Sequence, residues 1–481
     1  MMRLTRIFLV AASLACAAPV AAQQTQPPRI EDFRLDMSAS EIDAARADQT
    51  RALAMQAYLW GLPAYQHFRQ TTEIKQGRLH LAPKEEPFGG WVLLRKLATP
   101  DDANNVMPNV DTLYGASYVL LDKQGPVVLS IPRIKDRYYS VTMLDAYFNN
   151  FEIVGTRNTH GDAANILILP PHFTGKIPAG FTRVVRAPTP GISLFQRIFV
   201  RDEADVPLVQ KLQDEIRLAP LAVWKDRDAK FPRIDTPEFD AKAPVRETRD
   251  PLAFFDIVNR HTCRNPPPVD YAALVYAFKA VGFGPCATPP AAATLREASA
   301  QGARAAQALL NARVAAAPVR NGWSVPDVNT GKASPDYVGR AVVQLTQIGS
   351  FPPEEAMYFV GRLDGKGDRL DGGNITTLTF PAGQLPPVDP RGFWSLTMYR
   401  ASDNLLVSNP LNRYILRPSS PGLTKNADGS LTLYMSSRRP PETPLANWLP
   451  APAGDFIVVL RAYLPSKAIQ TGEWFPPALT R

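Results

Sequence analysis

A dense set of polar side chains lies between residues 109 and 157, and these residue types suit ligand binding or proton transfer. Amides and hydroxyls orient a polar ligand, arginines hold anions, and a carboxylate kept ionised by neighbouring donors can act as a general base. The sequence therefore predicts a site in this segment, made of Asn109, Asp111, Thr112, Tyr114, Arg137, Tyr138, Asp145, Asn149, Asn150 and Arg157.

Two carboxylates are the central candidates of this set. Asp111, in the segment NVDTLYG, would be a general base or a metal ligand, although an Asp-Thr pair also starts turns and can simply accept backbone hydrogens. Asp145 ends a β-type run, and we expect it at the rim of a sheet beside Asp111. The pair would then bind a divalent cation or share a proton. A salt bridge from Asp145 to Arg137 or Arg157 is the alternative.

Histidines are few, and none has the spacing to another that a zinc site shows. One of them, His160, lies in the polar turn RNTHGD and is the candidate for a second catalytic group, a general acid or base. Arg137 and Arg157 would hold an anion, and Tyr114 would position the ligand through its hydroxyl. The full set is His67, His80, His160, His172 and His261.

Known catalytic signatures are missing from the chain. It contains no Gly-x-Ser-x-Gly, His-Glu-x-x-His, phosphate-loop or Gly-x-Gly-x-x-Gly motif, and it specifies no cofactor. Three functions stay open. The first is a hydrolase-like enzyme acting on a small polar or envelope-derived substrate, and the second is a binding protein for a glycan or another small molecule. The third is a structural or assembly protein whose two sandwiches pair with each other or with a second chain, and in the second case a homo-oligomer could form.

Charge and the amino-terminal segment narrow the partners and the compartment. The formal net charge is +8, but the basic residues are scattered and form no nucleic-acid-binding module, so nucleic acid is not an expected partner. Residues 1–22 combine Arg3 and Arg6 with a short apolar run, which predicts a signal peptide cleaved near Ala22. No later stretch is long and apolar enough to span a bilayer. The mature protein is therefore expected in the periplasm or outside the cell.

Two cysteines remain after this cleavage, Cys263 and Cys286. In an oxidising compartment, two thiols this close in the chain are expected to form a disulfide, because a metal site would need further ligands. The third cysteine, Cys16, lies in the predicted signal peptide, where a lipoprotein anchor is the alternative to cleavage near Ala22.

Hydrophobic periodicity predicts an amino-terminal helix and then alternating β-rich and helical parts. The helix should span residues 38–60, with Ser38 and Glu41 as a capping box and Gly61 and Pro63 ending it. The expected fold class is α+β, with two jelly-roll-like β-sandwich units and a helical middle segment. The expected boundaries are 38–203 for the helix and first sandwich, 204–320 for the helical segment and 321–481 for the second sandwich.

One strand motif occurs twice, as YYSVTM at 138–143 and as FWSLTM at 393–398. Because side chains alternate along a strand, the two copies divide their residues between faces in the same way. The match favours two similar sandwiches with this strand at a corresponding place, and coincidence between two amphipathic strands is the alternative. One face would carry Tyr139, Val141 and Met143 or Trp394, Leu396 and Met398, and the other Ser140 and Thr142 or Ser395 and Thr397.

Five longer segments follow one another in order: NVDTLYG, DRYYSVTMLDAYFNNFEIVGTR, FWSLTMYRASDNLLVSNPLNRY, DGSLTLYM and NWLPAPAGDFIVVLRAY. They resemble the bacterial exported proteins that join two domains of unknown function, numbers 1254 and 1214, from about residue 50 to the end. The resemblance implies a β-rich amino-terminal unit, a helical middle and a carboxyl-terminal sandwich, and it brings little established function. The chain departs from the family pattern at Arg400, where an acidic residue is common, and at 157–161, where the family often has Arg-Thr-Thr-Gly.

Overall fold

The computed structural model describes residues 34, 36–75, 88–102, 107–234, 236, 239 and 251–481. The predicted signal peptide, its cleavage near Ala22, and Cys16 lie outside the described residues. Contacts divide the chain into two compact units, residues 1–46 and residues 47–481. The expected α+β class is confirmed, since helices and the strands of four sheets both occur.

The helices of the middle segment form where the periodicity predicts them, as α4 to α7 in the order given below. No helix in the described part of the chain is long and apolar enough to cross a membrane. The described helices are α1 (Ala39–Lys75), α2 (Leu121–Gln124), α3 (Thr156–Thr159), α4 (Val206–Glu215), α5 (Pro251–Arg264), α6 (Ala272–Lys279), α7 (Ala293–Ala315), α8 (Tyr337–Thr346) and α9 (Lys467–Thr471).

The start of α1 is a capping box, as the sequence predicts. The backbone N–H of Ser38 donates to Glu41 Oε2 at 2.8 Å, and the backbone N–H of Glu41 donates to Ser38 Oγ at 3.3 Å. These reciprocal bonds satisfy donors that the first turn of a helix leaves without intrahelical partners.

The predicted end of α1 at Gly61 and Pro63 is wrong, because the helix continues to Lys75 with Pro63 inside it. A Cβ at Gly61 would lie 2.9 Å from Val258 Cγ1, so glycine lets α1 approach α5 closely. The neighbouring Trp60 is buried in the helical core that α1 shares with α5. Burial of this apolar face outweighs the backbone hydrogen bond that a proline removes from a helix interior.

A disulfide joins Cys263, in α5, to Cys286, with their Cα atoms 4.6 Å apart. The predicted pairing is therefore confirmed. The bond ties the end of α5 to the loop that follows α6. A disulfide of this kind fits an oxidising compartment.

The first sandwich consists of two sheets. Its last strand lies in the segment 204–320, which the sequence predicts to be helical. Leu218 and Ala219 of this strand are buried, and the strand forms an antiparallel pair with residues 127–130. The strands are β1 (Val92–Leu93), β2 (Thr112–Leu120), β3 (Val127–Ile131), β4 (Tyr139–Asp145), β5 (Asn150–Gly155), β6 (Ala164–Leu169), β7 (Arg183–Arg186), β8 (Gly191–Phe199) and β9 (Arg217–Pro220). The sheet orders are β1-β2-β8-β4-β5 and β7-β6-β3-β9.

The second sandwich also consists of two sheets. Its strands are β10 (Val319–Arg320), β11 (Trp323–Ser324), β12 (Ala356–Gly361), β13 (Thr376–Phe380), β14 (Val388–Arg400), β15 (Ile415–Leu416), β16 (Leu431–Ser436), β17 (Trp448–Pro450), β18 (Phe456–Pro465) and β19 (Leu479–Thr480). The sheet orders are β10-β11-β12-β18-β14-β15 and β17-β16-β13-β19.

Each sandwich encloses its own apolar core, to which both of its sheets contribute. Complete burial of one large aliphatic side chain stabilises a fold by about 1.5–3 kcal/mol, so these cores hold each sandwich together. The predicted inward faces of the repeated strand are confirmed, because the cores contain Tyr139, Val141 and Met143 in the first sandwich and Trp394, Leu396 and Met398 in the second.

The two sandwiches have the same topology, and β11 to β19 repeat the arrangement of β1 to β9. The parallel pair β6–β7 corresponds to the parallel pair β16–β17. The registers agree as well, since Ser140 lies opposite Arg197 and Ser395 lies opposite Arg461. The repeated motif therefore marks equivalent strands, and the predicted duplication is confirmed.

The sandwiches meet through the sheets that contain β4 and β14, which we call the motif sheets. A buried cluster joins the faces that these sheets turn away from their own cores, with Tyr138 from the first sandwich and Phe393 and Tyr463 from the second. The rings of Phe393 and Tyr463 stack with their centroids 4.3 Å apart. The outer faces of the motif sheets are thus interior surfaces, and polar side chains on them are buried.

Candidate functional site

Asp111 precedes β2 and is completely buried between the sandwiches. Its Oδ2 accepts a hydrogen bond from Ser395 Oγ at 2.6 Å, and its Oδ1 lies 3.5 Å from Arg417 Nη1. Burial raises the pKa of the Asp111 carboxyl, and the charges of Arg417 and Arg461 oppose that rise. A carboxylate of the first sandwich is therefore held by side chains of the second.

Asn109 positions the backbone that carries Asp111. Its side-chain Oδ1 accepts a hydrogen bond from the Asp111 backbone N–H at 2.6 Å, and its Nδ2 donates to Tyr463 Oη at 2.7 Å. The backbone carbonyl of Asp111 accepts from the N–H of Val200, just after β8, at 2.8 Å. Asn109 and Asp111 are thus joined by a hydrogen bond.

Glu355 is the equivalent of Asp111 in the second sandwich, because it lies as far before Tyr358 as Asp111 lies before Tyr114. The two tyrosines themselves occupy equivalent positions in β12 and β2. Glu355 is completely buried, and burial raises the pKa of its carboxyl. Each sandwich therefore sends one carboxylate into the shared layer.

Two of the predicted site residues converge on Glu355. Tyr138 Oη donates to Glu355 Oε1 at 2.8 Å, and Arg157 Nε donates to Glu355 Oε2 at 2.8 Å. These bonds run from the first sandwich to the second, so they reciprocate the bonds that Asp111 receives from Ser395 and Arg417.

Two arginines face each other's sandwich from strands that are mostly apolar. Arg197 lies in β8 and Arg461 lies in β18, and the register makes them equivalent. Tyr114 lies opposite Arg197, as Tyr358 lies opposite Arg461. Because the two arginines occupy equivalent strand positions, any difference in their hydrogen bonding comes from the groups around them.

The guanidinium of Arg461 has polar partners on both terminal nitrogens. Nη1 donates to Thr397 Oγ1 at 2.7 Å, and Nη2 donates to Tyr399 Oη at 2.7 Å. Nη2 also lies 3.4 Å from the backbone carbonyl of Met107, and the charge of Asp111 is close enough to interact. This buried cation is thus paired and hydrogen-bonded, as buried charges in proteins normally are.

Arg197 is only 7% exposed, and its guanidinium has fewer hydrogen-bond partners, although the charge of Glu355 is close enough to interact. Nη2 donates to the Gly349 carbonyl at 3.2 Å, but Nε and Nη1 have no hydrogen-bond acceptor among the described residues. The guanidinium carbon lies 4.0 Å from the ring centre of Phe351 and 5.1 Å from that of Tyr114. Thr142 Oγ1, the equivalent of Thr397 Oγ1, is also buried without a partner in the described part of the chain.

Tyrosines surround Arg197 and interact with it electrostatically: Tyr114, Tyr138, Tyr358 and Tyr463. Burial raises the pKa of Tyr358 to about 12 and holds the pKa values of Tyr138 and Tyr463 well above their ordinary value. These three hydroxyls therefore stay neutral near pH 7 and can donate hydrogen bonds. Tyr114 and Tyr358 keep part of their surface in solvent, so this cluster reaches the protein surface.

The structure separates Asp145 from Asp111, and the predicted carboxylate pair is wrong. Asp145 lies opposite Ile192 at one end of β8, whereas Asp111 bonds to Val200 beyond the other end. About eight strand residues, or about 27 Å, lie between these two positions. No cation or shared proton can connect the two carboxylates over that distance.

Asp145 instead organises its own turn together with Asn149. Its Oδ1 accepts from the backbone N–H groups of Tyr147 and Asn149 at 2.8 and 3.0 Å, and its Oδ2 accepts from Asn149 Nδ2 at 2.8 Å. The alternative of a salt bridge to Arg137 or Arg157 is also wrong, because other carboxylates bind both arginines. A cavity of about 10 Å³ adjoins Asn149 and has room for about one water molecule.

Arg137 and His160 are both engaged by neighbouring side chains. Arg137 donates to both carboxylate oxygens of Asp205, at 2.7 and 3.1 Å. These bonds occupy the guanidinium nitrogens that would otherwise bind an anion. His160 is exposed, and its Nδ1 lies 2.6 Å from Arg391 Nη1. Because arginine only donates, His160 Nδ1 accepts this bond. No hydrogen bond in the described ranges links His160 to Asp111.

The last two predicted residues have different environments. Thr112 begins β2 opposite Phe199, and its buried Oγ1 has no partner within the described ranges. Asn150 Nδ2 donates to the carbonyls of Gly331 and Ser350 at 2.6 and 2.9 Å, which ties the start of β5 to the segment before β12. Among described residues, no group of three or more His, Cys, Asp or Glu side chains could hold a metal ion.

The sequence analysis missed Arg197, Arg461, Arg417 and Glu355, although one signal was available. Arg197 and Arg461 lie in the mostly apolar strands GISLFQRIF and FIVVLRAYLP, each at the place opposite the repeated serine. A charged residue inside such a run is rarely buried unless it is paired. Arg417 and Glu355 carry no such signal, because their partners lie far away in the chain.

Fold and site together define an α+β protein of two duplicated sandwiches with a buried polar layer between them. Residues 90–220 match the family model described as a protein of unknown function (DUF1254), and residues 355–467 match the model described likewise as DUF1214. The chain thus belongs to the proteins that join these two domains, the first amino-terminal and the second carboxyl-terminal. No curated protein matches the sequence.

The fold is similar to a solved structure, that of the VPA0106 protein from Vibrio parahaemolyticus. The TM-score is 0.68 at 21% sequence identity, and the match covers 90% of this chain and 99% of that chain. An uncharacterized protein from Burkholderia cenocepacia matches with a TM-score of 0.40 at 15% identity, over 89% of this chain and 94% of that chain. The first similarity supports the fold alone.

Proposed function

We propose that this protein binds a small anionic molecule between its two sandwiches, with the Arg197 guanidinium as the anchor. The observation that carries the proposal is the buried, incompletely paired charge of Arg197. Removing an ion from water costs several kcal/mol, and a stable fold normally offsets this with an opposite charge and hydrogen bonds. Glu355 is close enough to Arg197 to interact electrostatically, but Tyr138 and Arg157 bind its oxygens, so Nε and Nη1 lack an acceptor among the described residues. An anion bound there would supply one.

The equivalent arginine of the second sandwich supports this proposal. Arg461 occupies the same strand position, and it donates to Thr397 and interacts with Asp111. In the first sandwich, Arg197 and Thr142 occupy the positions of Arg461 and Thr397, yet both retain unpaired polar atoms. A ligand that accepts hydrogen bonds from Arg197 and Thr142 would complete this half of the layer.

A hydrolase is not favoured by any observation on the described residues. The Asp111 carboxylate is engaged by Ser395 and Arg417, and the His160 ring is engaged by Arg391. Binding without chemistry therefore accounts best for the geometry.

Export remains part of the proposal. The predicted signal peptide motivates it, and the disulfide between Cys263 and Cys286 supports it, because such bonds persist in oxidising compartments. The protein would then meet its ligand in the periplasm or outside the cell.

Thermal unfolding of the purified full chain tests the proposal. Sodium acetate, benzoate and phosphate are compared with sodium chloride at equal ionic strength, and glucose serves as a neutral probe. We expect at least one of the three anions to raise the melting temperature, since a ligand at 100 times its Kd stabilises by about 2.7 kcal/mol. Glucose should have no effect.

Two arginine variants make the test specific. Arg197→Met should abolish the anion effect, whereas Arg320→Met should preserve it, because Arg320 is an exposed arginine over the Phe475 ring. An anion effect of unchanged size in Arg197→Met would refute the proposed site.

A further inference from the structure

We infer that the anion held at Arg197 is an aromatic carboxylate, with its carboxylate on the guanidinium and its ring among the neighbouring aromatic side chains. The inference deepens the proposed function and rests on it. Three features of the layer support it: the equivalent group in the other sandwich, the charge beside the site, and the rings around it.

The group beside Arg461 and Ser395 is the carboxylate of Asp111. Glu355, its equivalent near Arg197, bonds to Tyr138 and Arg157, and Ser140 Oγ has no hydrogen-bond partner in the described ranges. Arg461 interacts with the carboxylate of Asp111, which also accepts a hydrogen bond from Ser395, the serine opposite Arg461. In the first sandwich, Ser140 lies opposite Arg197 in the same register. A ligand carboxylate at Arg197 would therefore meet the same combination of guanidinium and serine hydroxyl that the protein uses for its own carboxylate.

The charge beside the site favours a single negative charge. Glu355 is buried and close enough to Arg197 to interact electrostatically, although Tyr138 and Arg157 bind its oxygens. An anion at Arg197 is therefore repelled by Glu355, and this repulsion grows with the charge of the anion. A monocarboxylate meets half the repulsion that a doubly charged phosphate meets.

The rings around the guanidinium favour a flat ligand. The ring faces of Phe351 and Tyr114 are both directed at the guanidinium carbon of Arg197, at 4.0 and 5.1 Å. A carboxylate pairs with a guanidinium in the guanidinium plane. A ring conjugated to that carboxylate continues the same plane, so it can stack in this aromatic environment as the guanidinium does. A saturated ring of similar size presents no flat face.

Isothermal titration of the full chain with four sodium salts tests the inference: benzoate, cyclohexanecarboxylate, acetate and phosphate. We expect the Kd of benzoate to be at least tenfold lower than the Kd of each of the other three. Arg197→Met should remove benzoate binding. Phe351→Leu should reduce the benzoate preference over cyclohexanecarboxylate to less than threefold. Should Phe351→Leu fail to fold by circular dichroism, Tyr114→Leu, at a partly exposed position, makes the same test.

The outcomes separate this inference from the proposed function. Equal Kd values for benzoate, cyclohexanecarboxylate and acetate, all lost in Arg197→Met, would overturn the aromatic ligand and leave anion binding at Arg197 standing. Phosphate as the tightest ligand would overturn the carboxylate. Absence of binding by all four salts would overturn the proposed function together with this inference.

Discussion

Arg197 and Arg461 have the same place in a duplicated fold but different hydrogen-bond partners. Both lie opposite the serine of the repeated motif, and both are buried. Arg461 has Thr397 and Tyr399 as hydrogen-bond acceptors, while Arg197 has a single carbonyl acceptor among the described residues. The first arrangement pairs the buried cation, whereas the second leaves Nε and Nη1 for the ligand that we propose.

Replacing each arginine by methionine should therefore change stability by different amounts. Arg197→Met removes a cation whose Nε and Nη1 have no acceptor among the described residues, but it also takes a positive neighbour from the buried Glu355, so we expect a smaller loss than in Arg461→Met. Arg461→Met leaves the buried Asp111 with one fewer positive neighbour, and we expect a loss of about 3 kcal/mol. Urea unfolding of both variants measures this, and equal losses in the two would contradict the assignment.

A buried histidine pair makes the stability of the folded protein depend on pH. His67 Nδ1 lies 3.2 Å from His261 Nε2, and both rings are buried. Burial, followed by the charge of Arg264, lowers the pKa of His261 to about 3, and burial holds the pKa of His67 well below its ordinary value. Below about pH 6.5 the unfolded chain binds protons that the folded protein does not, so stability falls as pH falls toward 3.

Removing one of these histidines should reduce the loss of stability in acid. Between pH 6.5 and pH 5, a histidine whose folded-state pKa is about 3, as for His261, costs about 2 kcal/mol of unfolding free energy. We therefore expect His261→Gln to lose about 2 kcal/mol less than the wild type over this range, measured by urea unfolding at both pH values. His172→Gln, at an exposed position, should behave as the wild type. Identical pH dependence in His261→Gln and the wild type would show that this ring titrates normally.

At the scale of elements, close approach of helices depends on glycine. A Cβ at Gly302, in α7, would lie 2.4 Å from the Arg51 carbonyl oxygen and 2.8 Å from Ala54 Cβ, both in α1. These contacts are shorter than atoms tolerate, so the two helices would have to move apart. In the same way, the missing side chain of Gly61 lets α1 pack closely against α5.

The variant Gly302→Ala tests this packing. Alanine is the better helix former by about 1 kcal/mol, but overpacking typically costs about 1–3 kcal/mol, so we expect net destabilisation. Gly454→Ala is the matched control, because a Cβ there meets nothing within 4 Å. Thermal unfolding compares the two, and a higher melting temperature for Gly302→Ala would show that the helices are not in close contact.

At the scale of the whole molecule, the two sandwiches exchange carboxylates. Asp111 extends from the first sandwich to Ser395 and Arg417, and Glu355 extends from the second to Tyr138 and Arg157. Breaking a buried pair by removing one partner costs about 3–5 kcal/mol. These contacts therefore couple the unfolding of one sandwich to the unfolding of the other. The molecule should unfold as one cooperative unit.

Scanning calorimetry tests this coupling. We expect one transition in the wild type, and we expect Asp111→Ala to lower its temperature or to divide it in two, because Arg417 and Arg461 lose their buried carboxylate. Asp403→Ala is the control, since its salt bridge with Arg400 is exposed and worth about 0–1 kcal/mol. Two separate transitions in the wild type would contradict the coupling.

Local patterns account for the features that the sequence determined by itself. Alternation along YYSVTM and FWSLTM specifies which side chains enter each core, because the side-chain period of a strand is two whatever lies around it. The capping box of Ser38 and Glu41 and the cysteine pair are equally readable, since each depends on nearby residues or on compartment chemistry.

Partners that are distant in the chain were decided only by the tertiary structure. Asp111 meets Ser395, which lies 284 positions away, and its separation from Asp145 follows from their places at opposite ends of β8. The continuation of α1 through Pro63 depends on burial against another helix. Whether Arg197 is paired depends on which groups a second sandwich brings to it, and no spacing along one strand encodes that. Hydrogen bonds and burial act through space, so their outcome is settled only when the layers have packed.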